Sequence, residues 1–85
     1  MPEATSPWRV NDVLTYDRMR EAATILIARL NVAANSGDPI AEAARDELVR
    51  LRGEVAVVDA YDRAAVMALA DRIDLRIREL RGGFR

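Results

Sequence analysis

NDVLTYDRMREAATILIARLNVAAN, residues 11–35, decides the fold, because it carries more apolar surface than one packing face uses. At about 100° per residue, Tyr16, Met19, Ala22, Ala23, Leu26, Ile27, Leu30, Ala33 and Ala34 fall on one broad side, wide enough for a core. Leu14, Ile25 and Val32 gather on a second stripe about 100° or more from the first, with Ala28 beside them and only Arg18 and Glu21 interrupting it. A helix apolar on two sides needs two kinds of neighbour. In a three-helix bundle each helix touches two others, so an apolar sector of about 120 to 140° belongs to the core. The second stripe lies beyond that width. It predicts a surface for self-association or for a partner protein, with a partner slightly preferred, and the residues expected to form it are Leu14, Arg18, Glu21, Ile25 and Val32.

Outward from this stretch, the chain divides by its stop signals. Ser36 and Gly37 end the first helix with the left-handed residue that glycine permits, and Asp38-Pro39 begins a second, the carboxylate placed to cap free N–H groups. Ile40, Ala44, Leu48, Leu51, Val55 and Val58 then recur every three or four residues as a narrow inward stripe. The remaining face is charged, with Glu42–Arg45 and Asp46–Arg50 spaced for surface ion pairs. Gly53 lies off the stripe. Within VVDAYDRAAV no Gly or Pro marks a break, but Asp62 fits a cap, with Tyr61 before it and Val66 after it in a hydrophobic-staple arrangement. A turn is expected over 59–62; the rival is one unbroken helix over 39–81. The third helix, about 63–81, turns Val66, Leu69, Ala70, Ile73, Ile77 and Leu80 inward and stops at Gly82-Gly83, with Phe84 extending the same face.

Upstream, residues 1–9 hold Pro2 and Pro7 among Glu, Ala, Thr and Ser and read as a flexible arm, apart from Trp8, which is expected to fold over the end of the bundle. The first helix has two competing starts, Ser6-Pro7 and Asn11-Asp12. The expected fold is therefore all-α, an up-down-up antiparallel three-helix bundle over 10–85 with a mobile N-terminal arm.

Composition narrows the chemistry. The 85 residues make one domain, and contain no His, Cys, Lys or Gln; all 13 cations are Arg, balanced by 14 acids for a net charge of -1. Thiol nucleophiles, imidazole acid–base catalysis, Schiff-base lysines and the usual structural zinc ligands are excluded together. Arg without Lys, beside abundant Ala, points to a GC-rich bacterial genome. No apolar run is long enough for a membrane span, and MPEATSPWR lacks the features of a signal peptide, so a cytoplasmic location is expected. The near-neutral charge argues against binding driven by phosphate neutralisation. Arg72, Arg76, Arg78, Arg81 and Arg85 do cluster against only Asp74 and Glu79. Compensation of a helix C-terminus, helped by Asp74–Arg78, accounts for that cluster, and a phosphate or acidic-partner site is the other reading.

No phosphate loop, nucleophile setting or metal-spaced ligand group is present; Asp17–Glu21, Asp71–Asp74 and Glu42–Asp46 are carboxylate pairs without a convergent third ligand. No cofactor, metal or catalytic residue is expected. Glu47 and Arg76 lie at the edges of their core stripes, placed to pair at the seam between the second and third helices. In length, acidic isoelectric point, helix count and lack of active-site chemistry, the chain resembles small three-helix antitoxins, such as the epsilon antitoxins that block zeta toxin kinases by laying a helix over the nucleotide pocket. That resemblance is architectural. It implies a non-enzymatic protein that neutralises a cognate protein, such as a toxin, by helix-mediated contact. Two alternatives stand behind it. One is an Arg-dependent nucleic-acid accessory protein. The other is a small all-helical mutase of the chorismate mutase type, whose site generally wants the Lys and the Gln or Glu that converge with two or more Arg.

Overall fold

The computed structural model describes residues 7–81, with side chains from Asp12 onward. Three helices form the expected bundle: α1 (Pro7–Ala34), α2 (Ile40–Val57) and α3 (Arg63–Leu80). The single long helix over 39–81 does not occur. Of the two competing starts, α1 uses Pro7, so residues 7–9 belong to the helix and not to the arm; the side chains of Trp8 and Phe84, and residues 1–6, lie outside the described residues.

Each break has a local cause. Gly37 takes φ +79°, the left-handed conformation that closes the first turn, and the Ser36 hydroxyl donates to the Ala33 carbonyl at 2.7 Å. The expected Asp38 cap does not form. Ser36 Oγ accepts from the Asp38 N–H at 3.2 Å, and it is the Asp38 main-chain carbonyl that receives the Ala41 N–H at 2.9 Å. Helix α2 accordingly starts without a side-chain cap. At the second break, the Asp59 carboxylate accepts from the Tyr61 N–H at 2.9 Å and the Asp62 N–H donates to the Asp59 carbonyl at 2.9 Å, making a tight turn. Asp62 then caps α3, its carboxylate accepting from the Ala65 N–H at 3.1 Å. The staple expected beside that cap is open: Val66 is buried, but Tyr61 is 66% exposed, because the Asp59 turn aims it outward.

The core is built from the predicted faces. Met19, Ala23, Leu26, Leu30 and Ala34 of α1 meet Ala44, Leu48 and Leu51 of α2 and Val66, Leu69 and Ile73 of α3 in one cluster. Each fully buried Leu or Ile contributes about 1.5 to 3 kcal/mol of transfer free energy. Ala41, outside the predicted α2 stripe, is also buried.

Helix α1 packs closely against both neighbours, whereas α2 and α3 approach each other much less closely. Buried Ala residues at 23, 34, 41 and 44 let α1 and α2 come together, while long Arg and Glu side chains stand along the α2–α3 seam. There Arg76 donates to both oxygens of Glu47 at 2.7 and 2.9 Å, as its position at the stripe edge predicts, and also contacts Glu79 at 3.2 Å. Arg72 pairs with Glu54 at 2.8 Å, and Arg63 with Asp12 at 3.0 Å. These pairs record the topology: α3 runs antiparallel to α2 and begins beside the early turns of α1.

Candidate protein-interaction surface

With α2 and α3 gathered on one side of α1, the opposite side is bare. Its residues are Leu14, Arg18, Glu21, Ile25, Ala28 and Val32, spaced alternately by four and three, and all six are exposed. At about 100° per residue they lie on the far side of the helix from Met19, Ala23, Leu26 and Leu30. Leu14 is 61%, Ile25 49% and Val32 74% exposed, so the second apolar stripe is not a groove-filling part of the core. The five residues singled out in the sequence are thus brought together on one continuous surface. Arg18 and Glu21 make no ion pair among the described residues.

Beside this face, an open trough of about 540 Å³ runs between α1 and α3, lined by Leu14 and Arg18 on one wall and Met67, Asp71 and Asp74 on the other. Met67, half exposed, extends the apolar surface onto α3. The sequence held a signal for it: Met67 sits one position after the buried Val66, about 100° around the helix on the side that turns toward α1. Other exposed apolar residues, such as Val49, Val57 and Leu75, are scattered singly, as on most protein surfaces. Among the described residues, only α1 gathers three of them on one stripe.

The remaining candidates do not assemble into sites. Among the described residues no group of three or more His, Cys, Asp or Glu could hold a metal ion, so Asp17–Glu21, Asp71–Asp74 and Glu42–Asp46 gain no third ligand. The expected surface pairs Glu42–Arg45, Asp46–Arg50 and Asp74–Arg78 do not close either. Of the C-terminal Arg cluster, Arg72 and Arg76 are engaged with acids, Arg78 and Arg81 are exposed, and Arg85 lies outside the described residues. The Arg76 guanidinium is held above the ordinary arginine range, first by its hydrogen bond to Glu47, against the opposing effect of burial and with Glu79 adding to the rise. No described helix is long and apolar enough to cross a membrane. Comparison of the chain with known protein families, with curated proteins and with solved structures found no match to any of them.

Proposed function

We propose that this chain is a non-enzymatic, cytoplasmic protein-binding module that works through the outer face of α1, in the manner of the small inhibitory antitoxins it resembles. The exposed stripe Leu14–Ile25–Val32 carries the reading: it crowns the longest described helix, two neighbouring helices leave it uncovered, and its gaps of eleven and seven residues keep all three on one side, as in a helix laid against another helix or into a groove. The nucleic-acid alternative has weaker support. Arg72 and Arg76 are already paired with acids on α2, which leaves Arg78 and Arg81, among the described residues, as the cations without an ion pair at that end.

The test is a comparison of the wild-type chain with a Leu14→Ser, Ile25→Ser, Val32→Ser variant. Both are expected to stay helical, while a bound protein, whether a second copy or a different chain identified by mass spectrometry, is expected to leave the variant. Equal retention of every bound protein by the two would overturn the reading.

A further inference from the structure

We infer that the occupant of the α1 face is a second copy of this chain, with its own α1 laid antiparallel across the first. This rests on the reading of that face as protein-binding and names its partner. Charge placement carries it. Leu14, Arg18, Glu21, Ile25, Ala28 and Val32 follow a strict four–three alternation, the period of a two-helix seam, with opposite charges at two consecutive seam positions. Under a two-fold axis level with the Met19–Arg20 peptide, Arg18 of one copy meets Glu21 of the other and Glu21 meets Arg18. On either side of these layers, Leu14 meets Ile25. The flanking positions bring Asp17 beside Thr24 and Thr15 beside Ala22, so no like charges face each other there.

Alternative pairings of the same helices are penalised. A parallel pair sets Arg18 against Arg18 and Glu21 against Glu21 in successive layers. An antiparallel pair slid by one heptad sets Arg18 against Ala28 and Glu21 against Ile25, leaving charges in the seam without partners; a slide the other way sets Leu14 against Arg18. One register satisfies both charges and two of the three large apolar residues, Leu14 and Ile25; Val32 lies beyond these matched layers. Arg18 and Glu21, the two that would be matched, have no ion-pair partner of their own among the described residues. The pairing also covers the mouth of the trough beside Leu14, where Met67 is half exposed. Any different protein that uses this face competes with the second copy.

Sedimentation equilibrium of the full chain over a concentration series is the first measurement, and it is expected to give a species of twice the 9.5 kDa chain mass. Arg18→Glu and Glu21→Arg, each of which puts four like charges at the centre, are expected to weaken self-association by about 100-fold or more. The exchange variant carrying both substitutions restores the charge match and is expected to dimerise within about threefold of wild type. Circular dichroism melts at high dilution serve as the folding control, since both positions are exposed. Orientation is read by cysteine pairing, the chain having no Cys of its own. On oxidation, Leu14→Cys mixed with Ile25→Cys is expected to form a disulfide-linked dimer, whereas Leu14→Cys alone is not, its two copies lying about 16 Å apart along the seam. A monomeric wild type, a dimer indifferent to the single charge reversals, or self-linking of Leu14→Cys would each overturn the inference. A monomeric wild type that still loses a different bound protein in the triple Ser variant would sink the self-pairing while leaving the protein-binding reading standing.

Discussion

Arg76 grips Glu47 with two of its nitrogens, at 2.7 and 2.9 Å, across a seam where α2 and α3 otherwise stand apart. Both side chains are mostly shielded, at 20% and 22% exposure, unlike the Arg72–Glu54 pair farther along the seam, at 61% and 43%. The two pairs should therefore differ in worth. Arg76→Ala is expected to destabilise the fold by about 1 to 3 kcal/mol, since it leaves a half-buried carboxylate without its fork. Arg72→Ala is expected to cost less than about 0.5 kcal/mol, as an exposed pair does. Urea denaturation of the two variants ranks them, and equal losses would contradict the difference in shielding.

The pH behaviour of Arg76 has a definite sign. Its folded-state pKa is raised by Glu47, so its contribution is complete below the ordinary arginine range and is lost only as pH climbs through the still higher folded value. The melting-temperature gap between wild type and Arg76→Met should therefore stay flat from about pH 7 to about pH 10 as far as Arg76 titration is concerned. Thermal melts at intervals over that window check it, and a gap that shrinks steadily toward pH 10 would contradict it.

Two aspartates beside helix starts should respond unequally. Asp62→Ala removes the carboxylate that accepts from Ala65 and should cost about 1 kcal/mol. The Asp38 carboxylate makes no capping bond, so Asp38→Ala should cost no more than about 0.5 kcal/mol. Denaturant midpoints of the pair decide whether the caps are as described.

The glycines offer a second contrast. Gly53, in the body of α2 with open space where a Cβ would lie, should gain about 1 kcal/mol on Gly53→Ala from helix propensity. Gly37, at φ +79°, should lose about 1 kcal/mol on Gly37→Ala, because a Cβ is strained there however open the space.

Substitutions on the two faces of α1 should separate core from surface. Leu26→Asp buries a carboxylate among apolar side chains and is expected to abolish the cooperative melt. Ile25→Asp, next to it in sequence but half exposed, should retain a folded helical spectrum. A cooperative, wild-type melt from Leu26→Asp would show that α1 faces the other way.

Much of this was legible beforehand because helical period translates directly into direction. The inward faces, the seam position of Glu47 and Arg76, the Asp62 cap and the glycine stop at residue 37 all follow from spacing or from the chemistry of one residue type. What escaped depends on competition among near neighbours or on distance in the chain. Ser36 took the Asp38 N–H and thereby set the start of α2; the Asp59 side chain captured the Tyr61 N–H and turned the ring outward. The exposed pairs spaced for ion pairing stayed open, since a solvated pair gains too little to fix two long side chains. Asp12 and Arg63 are 51 residues apart and meet only because α2 carries the chain back along α1, so that α3 begins beside the early turns of α1. The α1 stripe was legible as a pattern, but its exposure required knowing that both neighbours sit on the same side.

Because α2 and α3 lean on α1 far more than on each other, the molecule is wired as a hub with two spokes. Core substitutions in α2 and in α3 should then be close to additive, whereas either one combined with a substitution in α1 should show an interaction energy. Amide hydrogen exchange should follow the same wiring, with the central turns of α1 opening last and the two outer helices loosening before it. In such an arrangement the helix with the bare back is also the one most firmly held.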